Sequence, residues 1–346
     1  MSYTVLQADP RESREAILAL WQRNLPPASS ARYHWLYEAG PATSALLESK
    51  DGQVIGAAGL MRRTFSLFGR RVEAAQAVDL NVDRQHRTIG PAVALQREIT
   101  ARVQSGELGF VYGLPNARSD PVLKRAGYQV VGCLARWIKP LRFRVLARRC
   151  RWSKWLAGAG AVLDPLLQAS SGELFYRRPA GACIQYLDQF DARFDRLWQA
   201  AARQFGVIGQ RTSDYLGWRF TRCPKAGHRA VCLADANGEL AAYVVYTVRD
   251  ANAYLSDFLF ADLGSFGVLL AELSGFLRRE GMETVSLVYM GSQRVCRALR
   301  RSGFWQRPSD WKLMIYARTD QADVDSDRLL DGENWHLTRA DCDTDD

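Results

Sequence analysis

A short glycine-containing turn offers the clearest chemistry in this sequence. Residues 78–82 alternate apolar and polar side chains as a β-strand does, and residues 92–99 place apolar side chains at helical spacing. Between them Gly90 permits a tight turn, and Pro91 falls where a starting helix loses no hydrogen bond. A helix that begins directly after a strand leaves backbone N–H groups unpaired at the positive end of its dipole. The turn therefore predicts an anion-binding site of the kind that holds phosphate.

The turn resembles the pyrophosphate-binding motif of the GCN5-related N-acetyltransferase (GNAT) superfamily. In that family the motif reads Arg or Gln, two residues, Gly, one residue, and Gly or Ala. The stretch Arg87-x-x-Gly90-x-Ala92 matches this pattern directly after an apolar strand.

A second match follows at the spacing that the family requires. A strand over residues 108–112 leads to Asn116 and Ser119, and the next helix closes on Gly127-Tyr128. An ordinary β-α-β unit, in which the glycines only make turns, is the alternative. The order of strand, turn, helix and second strand favours the GNAT interpretation.

The resemblance implies a site for coenzyme A, with acetyl-CoA as the expected co-substrate and no metal. In the family, backbone groups of the fourth strand hold the thioester, the turn holds the pyrophosphate, and the Asn-containing loop contributes to the same cleft. The expected cofactor-binding residues are Leu80, Asn81, Val82, Arg87, Thr88, Ile89, Gly90, Pro91, Ala92, Asn116 and Ser119.

Acyl transfer to an amine needs a group that accepts the proton of the amine and a group that protonates the leaving thiolate. Asp79 is the candidate base, although it could equally be a structural carboxylate. A tyrosine commonly precedes the closing Gly-Phe or Gly-Tyr pair by four residues, but this chain has Leu123 there. Tyr128, Tyr112 or water would then have to supply the proton, and Tyr128 is the candidate acid.

The second half of the chain repeats the first. Landmarks such as Trp35 and Trp218, or Asp79 and Asp257, recur at a nearly constant offset of about 180 positions, which indicates an internal duplication. The second copy has no arginine–glycine turn, and it carries Asp262 where a pyrophosphate would lie. The second copy is therefore predicted not to bind coenzyme A.

Composition is that of a globular protein with more than one domain. The chain has 346 residues, of which 47% are apolar and 24% charged, and no apolar run is long enough to span a membrane. The N-terminus lacks the plan of a secretion signal, so the expected location is cytoplasmic. The seven cysteines and four histidines are scattered without a metal-binding spacing.

The net charge is +9, and the charged residues are unevenly distributed along the chain. Residues 136–154 contain many cations and no acid, whereas the last residues are rich in aspartate. Aromatic and aliphatic side chains are interleaved with the cations over residues 136–156, which permits peripheral membrane contact. The alternative is a linker helix whose cations face solvent or the acidic tail. No recognition motif for sequence-specific nucleic-acid binding accompanies the charge.

We therefore predict an α/β protein with a mixed sheet, built from two tandem GNAT-like folds. The expected parts are a domain with the acyl-CoA site (1–139), a basic amphipathic linker (140–172), a degenerate GNAT-like domain (173–318) and an acidic C-terminal tail (319–346). The expected activity is transfer of an acetyl or similar acyl group from coenzyme A to an amine of a small molecule, sugar or peptide. The alternatives are a Fem-like aminoacyl transferase and a non-catalytic module that binds coenzyme A or a protein.

Overall fold

The computed structural model describes residues 3–24, 27–49, 51–145, 160–225, 227–318 and 326–343. The strands of these residues join into one mixed sheet of 16 strands, to which both halves of the chain contribute. Helices cover the sheet. One core cluster comes mainly from the first half and one mainly from the second, whereas two further clusters combine side chains of both halves.

The first half forms one α/β unit. Its elements, in chain order, are β1 (Thr4–Ala8), α1 (Arg14–Asn24), α2 (Ser30–Tyr33) with a π-helical turn (His34–Glu38), β2 (Ala42–Glu48), β3 (Val54–Leu67), β4 (Arg70–Val82), a 3₁₀ turn (Arg84–His86), α3 (Ile89–Gln104), β5 (Phe110–Gly113), α4 (Asp120–Arg125), β6 (Gln129–Cys133) and β7 (Ala135–Pro140).

The second half repeats this order after a connecting helix, α5 (Gly160–Ser170), and a 3₁₀ turn (Glu173–Phe175). The repeated elements are β8 (Cys183–Leu187), α6 (Ala192–Ala201), β9 (Val207–Gly209), α7 (Ser213–Leu216) with a π-helical turn (Gly217–Thr221), β10 (Arg229–Ala234), β11 (Leu240–Arg249), β12 (Asn252–Phe260), α8 (Leu263–Arg279), β13 (Thr284–Gly291), α9 (Gln293–Arg301), β14 (Trp305–Arg307) and β15 (Lys312–Ala317). The C-terminal segment adds α10 (Ser326–Leu330) and β16 (Trp335–Leu337).

Two tryptophans mark the axis that relates the copies. The indole N–H of Trp35 donates to the Trp218 carbonyl at 2.9 Å, and the indole N–H of Trp218 donates to the Trp35 carbonyl at 3.0 Å. The two rings stack with centroids 4.8 Å apart and an interplanar angle of 12°. Each tryptophan thus donates from its indole to the carbonyl of the other and accepts the same hydrogen bond in return, as in a two-fold symmetric interface. The predicted tandem fold is confirmed.

The last strand of each copy lies in the sheet of the other copy. Strand β7 of the first half pairs with β13 and β14 of the second, whereas β15 of the second half pairs with β5 and β6 of the first. The ranges 1–139 and 173–318 therefore do not enclose complete sheets, because the final strand of each range pairs in the sheet of the other. The alternation of apolar and polar side chains along a strand predicts which face is buried. It does not predict which of two similar sheets the strand joins.

The C-terminal segment, predicted as an acidic tail over 319–346, is folded over residues 326–343. Strand β16 pairs with β9 on one side and β13 on the other. Trp335, His336 and Leu337 are fully buried. Buried Asp341 accepts from Arg211 at 2.6 Å and 2.9 Å, so part of the acidic charge balances cations inside the protein.

The first residues of the basic segment over residues 136–156 lie in a strand. Residues 136–139 belong to strand β7, and the ammonium of buried Lys139 lies 2.6 Å from the Glu173 carboxylate. Burial lowers the pKa of Lys139 to about 8, although the adjacent Glu173 opposes this shift. Residues 146–156 lie outside the described residues. None of the described helices is both long and apolar enough to cross a membrane.

We predict that acid weakens the fold through His336. Burial lowers the pKa of His336 to about 3, and its ring donates to the Phe258 carbonyl at 3.1 Å. An unfolded histidine titrates near pH 6.5, so between about pH 6.5 and pH 3 the unfolded state binds the extra proton and stability falls as pH falls. The loss contributed by this residue is on the order of 4 kcal/mol.

Urea unfolding of His336→Gln across this pH range should show a shallower dependence of the unfolding free energy on pH, because glutamine can still donate but does not titrate. His34→Gln is the matched control, since His34 is exposed and pairs only with nearby Glu38. Equal slopes for the His336→Gln variant and the native protein would contradict the assignment.

Candidate functional site

The site begins at an irregularity in strand β4. Val78 pairs with Gly59 and Asn81 with Ala57, so Asp79 and Leu80 together lie opposite the single residue Ala58. Asp79 has φ 51°, a left-handed conformation that non-glycine residues rarely adopt. This β-bulge turns the Asp79 side chain and leaves part of the backbone without a ladder partner.

A cleft opens beside the bulge because β5 diverges from β4. The two strands pair only from Ala74 to Gln76, whereas β4 continues to Val82. In the described residues no strand pairs with residues 77–82 on that edge. The backbone groups of residues 77–81 on that edge can therefore bind an extended ligand.

Asp79 is held by two partners from the α2 region. The guanidinium of Arg32 donates to the carboxylate at 2.9 Å, and the Tyr37 hydroxyl donates to it at 3.0 Å. Burial and the neighbouring Asp79 carboxylate raise the pKa of Tyr37 well above its ordinary value, so the phenol keeps its proton. The aspartate is thereby fixed in position while its side chain stays partly accessible.

A second carboxylate, Asp343, reaches the same place from the C-terminal segment. Its backbone carbonyl accepts from Arg32 at 2.9 Å, and its carboxylate lies 4.0 Å from the same guanidinium. Burial and the Asp79 carboxylate raise the pKa of Asp343. The sequence analysis missed this residue because it lies about 260 positions from Asp79 in a stretch that reads as a solvated tail.

The start of α3 is open, as the predicted anion site requires. Thr88 precedes the helix without donating or accepting a side-chain capping bond. A side chain at Gly90 would meet no atom within 4 Å. A groove of about 690 Å³ runs from Ile89 and Gly90 along the helix to Arg97 and Arg125, whose cations would face a phosphate-bearing ligand. Glu98 also lines the groove, and its carboxylate accepts from the Gln7 side chain at 3.1 Å. Pro91 and Ala92 are buried and anchor the turn.

Arg87 does not project into this groove. Its guanidinium donates to the Val82 carbonyl at 3.2 Å and lies 3.5 Å from the Asn24 side-chain oxygen. It therefore fastens the turn to the end of β4, and its expected contact with pyrophosphate stays a prediction. Among the residues that the structure describes, the side-chain amide nitrogen of Asn81 has no hydrogen-bond partner, although it is buried. Leu80 is partly buried at the bulge.

The remaining predicted residues divide between a surface turn and the core. Asn116 accepts from the backbone N–H groups of Arg118 and Ser119, so these residues form the turn that starts α4. Tyr128 is buried and its hydroxyl donates to Gln96 at 3.1 Å. Burial raises the pKa of Tyr128, and the structure does not bring this residue to Asp79.

The corresponding cleft of the second copy is closed by the protein itself. Asp257, the counterpart of Asp79, is fully buried against Arg211 and accepts from Tyr243 and Thr338. Asp262 accepts from two backbone N–H groups at the start of α8, at 2.8 Å and 2.9 Å. A carboxylate of the chain thus occupies the position that a pyrophosphate would need.

Strand β16 closes the other end of that cleft. Pairing between β12 and β13 stops at Leu255, and β16 pairs with the end of β13 beyond this point. The hydrogen bond from His336 to the Phe258 carbonyl uses a β12 backbone group. The two copies therefore share a fold but present one open cleft and one filled cleft.

No protein-family model matches the chain, and no curated protein sequence matches it either. Solved structures do match it. A conserved protein of unknown function from Enterococcus faecalis, a probable N-acyltransferase, has 12% identity and a TM-score of 0.68 over 92% of this chain and 73% of that chain. A GCN5-related N-acetyltransferase from Anabaena variabilis has 12% identity and a TM-score of 0.65 over 91% of this chain and 73% of that chain.

N-myristoyltransferase from Saccharomyces cerevisiae, solved with bound myristoyl-CoA, has 14% identity and a TM-score of 0.52 over 91% of this chain and 78% of that chain. The chain has the duplicated GNAT fold. This result confirms the fold class that the Arg87-x-x-Gly90-x-Ala92 motif and the duplication predicted.

We predict that one acetyl-CoA binds per chain and that Gly90→Glu abolishes this binding. The new carboxylate would lie where the open helix start attracts phosphate. Isothermal titration of the native protein should give a stoichiometry of one, and the Gly90→Glu variant should show no binding heat. Gly275→Glu, within α8, where a new side chain would meet only the Arg279 guanidinium at 3.7 Å, is the control and should titrate like the native protein. Two sites per chain, or unchanged affinity in the Gly90→Glu variant, would contradict the site assignment.

Proposed function

We propose that this protein transfers a short acyl group from acyl-CoA, acetyl-CoA in the first instance, to an amine. The observation that carries the proposal is the open cleft of the first copy. Three features lie along this cleft: the uncapped start of α3, the free edge of β4 and the Asp79 carboxylate. The filled cleft of the second copy supports the same proposal, because there the helix start is capped by Asp262, the strand edge is covered, and the counterpart carboxylate of Asp257 is buried. Acyl transfer from coenzyme A is also what the likeness to GNAT acyltransferases supports.

The co-substrate would enter with its pyrophosphate at the backbone N–H groups of Ile89 and Gly90. Its pantetheine arm would follow the free edge of β4, which brings the thioester to the bulge at Asp79 and Leu80. Backbone N–H groups at that edge would polarise the thioester carbonyl and stabilise the oxyanion that forms during attack.

The pair of carboxylates at Arg32 would accept the proton of the acceptor. An alkylammonium ion must lose a proton before its nitrogen can attack, and Asp79 and Asp343 stand together at the bulge for that step. A carboxyl group with a raised pKa is a better proton acceptor than an ordinary one. The amine lone pair then attacks the thioester carbon, the C–N bond forms, the C–S bond breaks, and the thiolate leaves and takes up a proton. The products are an amide and free coenzyme A.

The closed inner end of the cleft supports a short acyl group. Where β4 and β5 meet, the side chains of Gln76 and Tyr112 are fully buried. The Tyr112 hydroxyl donates to the Asp341 carbonyl at 3.1 Å. In the orientation that satisfies both its amide atoms, Gln76 bridges the Asp341 carbonyl and the Asp343 N–H at 3.1 Å each. A long acyl chain would have to break this hydrogen-bonded layer and leave buried polar groups unpaired.

We predict that replacing either carboxylate slows the reaction without preventing acetyl-CoA binding. Free-thiol release should be measured with acetyl-CoA over a panel of amino sugars, polyamines and peptides with a free N-terminus. With the best acceptor, Asp79→Asn and Asp343→Asn should each lower kcat/KM by about 10²–10³-fold, the usual contribution of a general base. Asp327→Asn, an exposed carboxylate on α10, is the control.

Titration of each variant with acetyl-CoA separates lost chemistry from lost structure. Octanoyl-CoA should be a much poorer donor than acetyl-CoA, because the hydrogen-bonded layer blocks its chain. Acetyl-CoA binding with no thiol release for any amine would instead favour a non-catalytic module. Full activity in both aspartate variants would contradict the proposed role of the carboxylate pair.

A further inference from the structure

Two large apolar side chains project from the second copy into solvent. Leu174 and Phe175 in the 3₁₀ turn after α5 are 61% and 84% exposed. They are adjacent in sequence, so they form one apolar tip rather than two scattered residues. A tip of this kind is unfavourable in water unless it has a partner.

The turn that carries the tip is firmly anchored. Glu173 is buried and contacts both the Lys139 ammonium and the Arg278 guanidinium at 2.6 Å. Gly172 has φ 69°, and a side chain there would lie 2.4 Å from the Arg301 carbonyl. Tyr176 packs against Gly267 at the start of α8. Since both neighbours of the tip are fixed, the outward position of Leu174 and Phe175 is imposed by the fold.

Arginines surround the tip. Arg294, Arg297 and Arg301 are exposed at helical spacing on α9, and together with Tyr176 they line a groove of about 300 Å³. Arg177 and Arg178 follow the tip directly and are also exposed. Within the described residues, no ion pair involves any of these five arginines. Their neighbour Arg300 differs, because it donates to Gln306 at 2.6 Å and lies over the Trp137 ring.

We propose that Leu174, Phe175, Arg294, Arg297 and Arg301 form a docking surface for an anionic lipid bilayer, here called the Phe175 surface. Apolar side chains that enter the acyl region, flanked by arginines at the depth of lipid phosphates, are the composition of interfacial membrane contacts. The groove on α9 is large enough for a phosphate group between the three guanidinium ions. A soluble phosphate compound would use the arginines but would leave the apolar tip in water.

The place of this surface in the fold makes it independent of the acyl-CoA site. Arg301 occupies in the second copy the place that Arg125 has in the first, beside the start of the long helix. In the second copy that helix start is already capped by Asp262. The arginines of α9 are therefore available for a ligand other than coenzyme A.

Co-sedimentation of the full chain with vesicles tests the proposal. Vesicles of phosphatidylcholine and phosphatidylglycerol in equal parts should bind the native protein at low salt, and vesicles of phosphatidylcholine alone should not. The triple variant Arg294→Glu, Arg297→Glu, Arg301→Glu should bind on the order of 100-fold more weakly. The matched control is Arg203→Glu, Arg249→Glu, Arg279→Glu, which changes the net charge equally at exposed positions elsewhere.

A second variant, Leu174→Ser with Phe175→Ser, tests the apolar tip. It should weaken vesicle binding by about 10-fold or more without changing the fold, since both side chains are already exposed. Circular dichroism and thermal unfolding check that each variant is folded.

Three results would overturn the proposal: no binding to anionic vesicles, equal loss in the two triple arginine variants, or unchanged binding in the serine variant. A loss of vesicle binding only in the variant Arg148→Glu, Arg149→Glu, Arg151→Glu would also overturn the proposal, because the membrane contact would then belong to the basic segment.

Discussion

The Arg211 guanidinium, buried between Asp257 and Asp341, ties the C-terminal segment to the body of the protein. It contacts the Asp257 carboxylate at 3.0 Å and the Asp341 carboxylate at 2.6 Å, and all three side chains are inaccessible to solvent. Arg63 of the first copy adds a contact with Asp341 at 3.2 Å. A buried charge is tolerated only when every partner is present, and loss of one partner costs about 3–5 kcal/mol. These ion pairs therefore fix the position of residues 338–343 against both copies.

That position has opposite effects on the two clefts. In the second copy, the segment covers Asp257 and brings His336 to the β12 backbone, so the cleft is filled. In the first copy, Asp343 of the same segment lies beside Arg32 and adds its carboxylate to that of Asp79, while the cleft stays open. The arginine–aspartate pair is thus structural in one copy and available for chemistry in the other. The difference arises from what surrounds the pair rather than from the pair itself.

Local features could be read from the sequence, whereas contacts between distant segments could not. Gly90, Pro91 and the alternating strand before them predicted the open helix start, because turn and helix preferences act over a few residues. The recurrence of Trp35 as Trp218 predicted the duplication.

The exchange of β7 and β15 and the insertion of β16 depend on which sheet edge a strand meets, and the apolar pattern of a strand does not specify its neighbour. Asp343 was missed for the same reason, and Tyr128 was placed at the site although its ring belongs to the core.

Hydrogen–deuterium exchange with and without acetyl-CoA tests most directly whether the C-terminal segment leaves a single open cleft. The account predicts slower exchange over residues 77–92, where the ligand would cover free backbone groups. It predicts no change over residues 255–266, where His336 and Asp262 already occupy those groups, and strong protection of residues 335–341 even without ligand. Slower exchange over residues 255–266, or none over residues 77–92, would contradict the account.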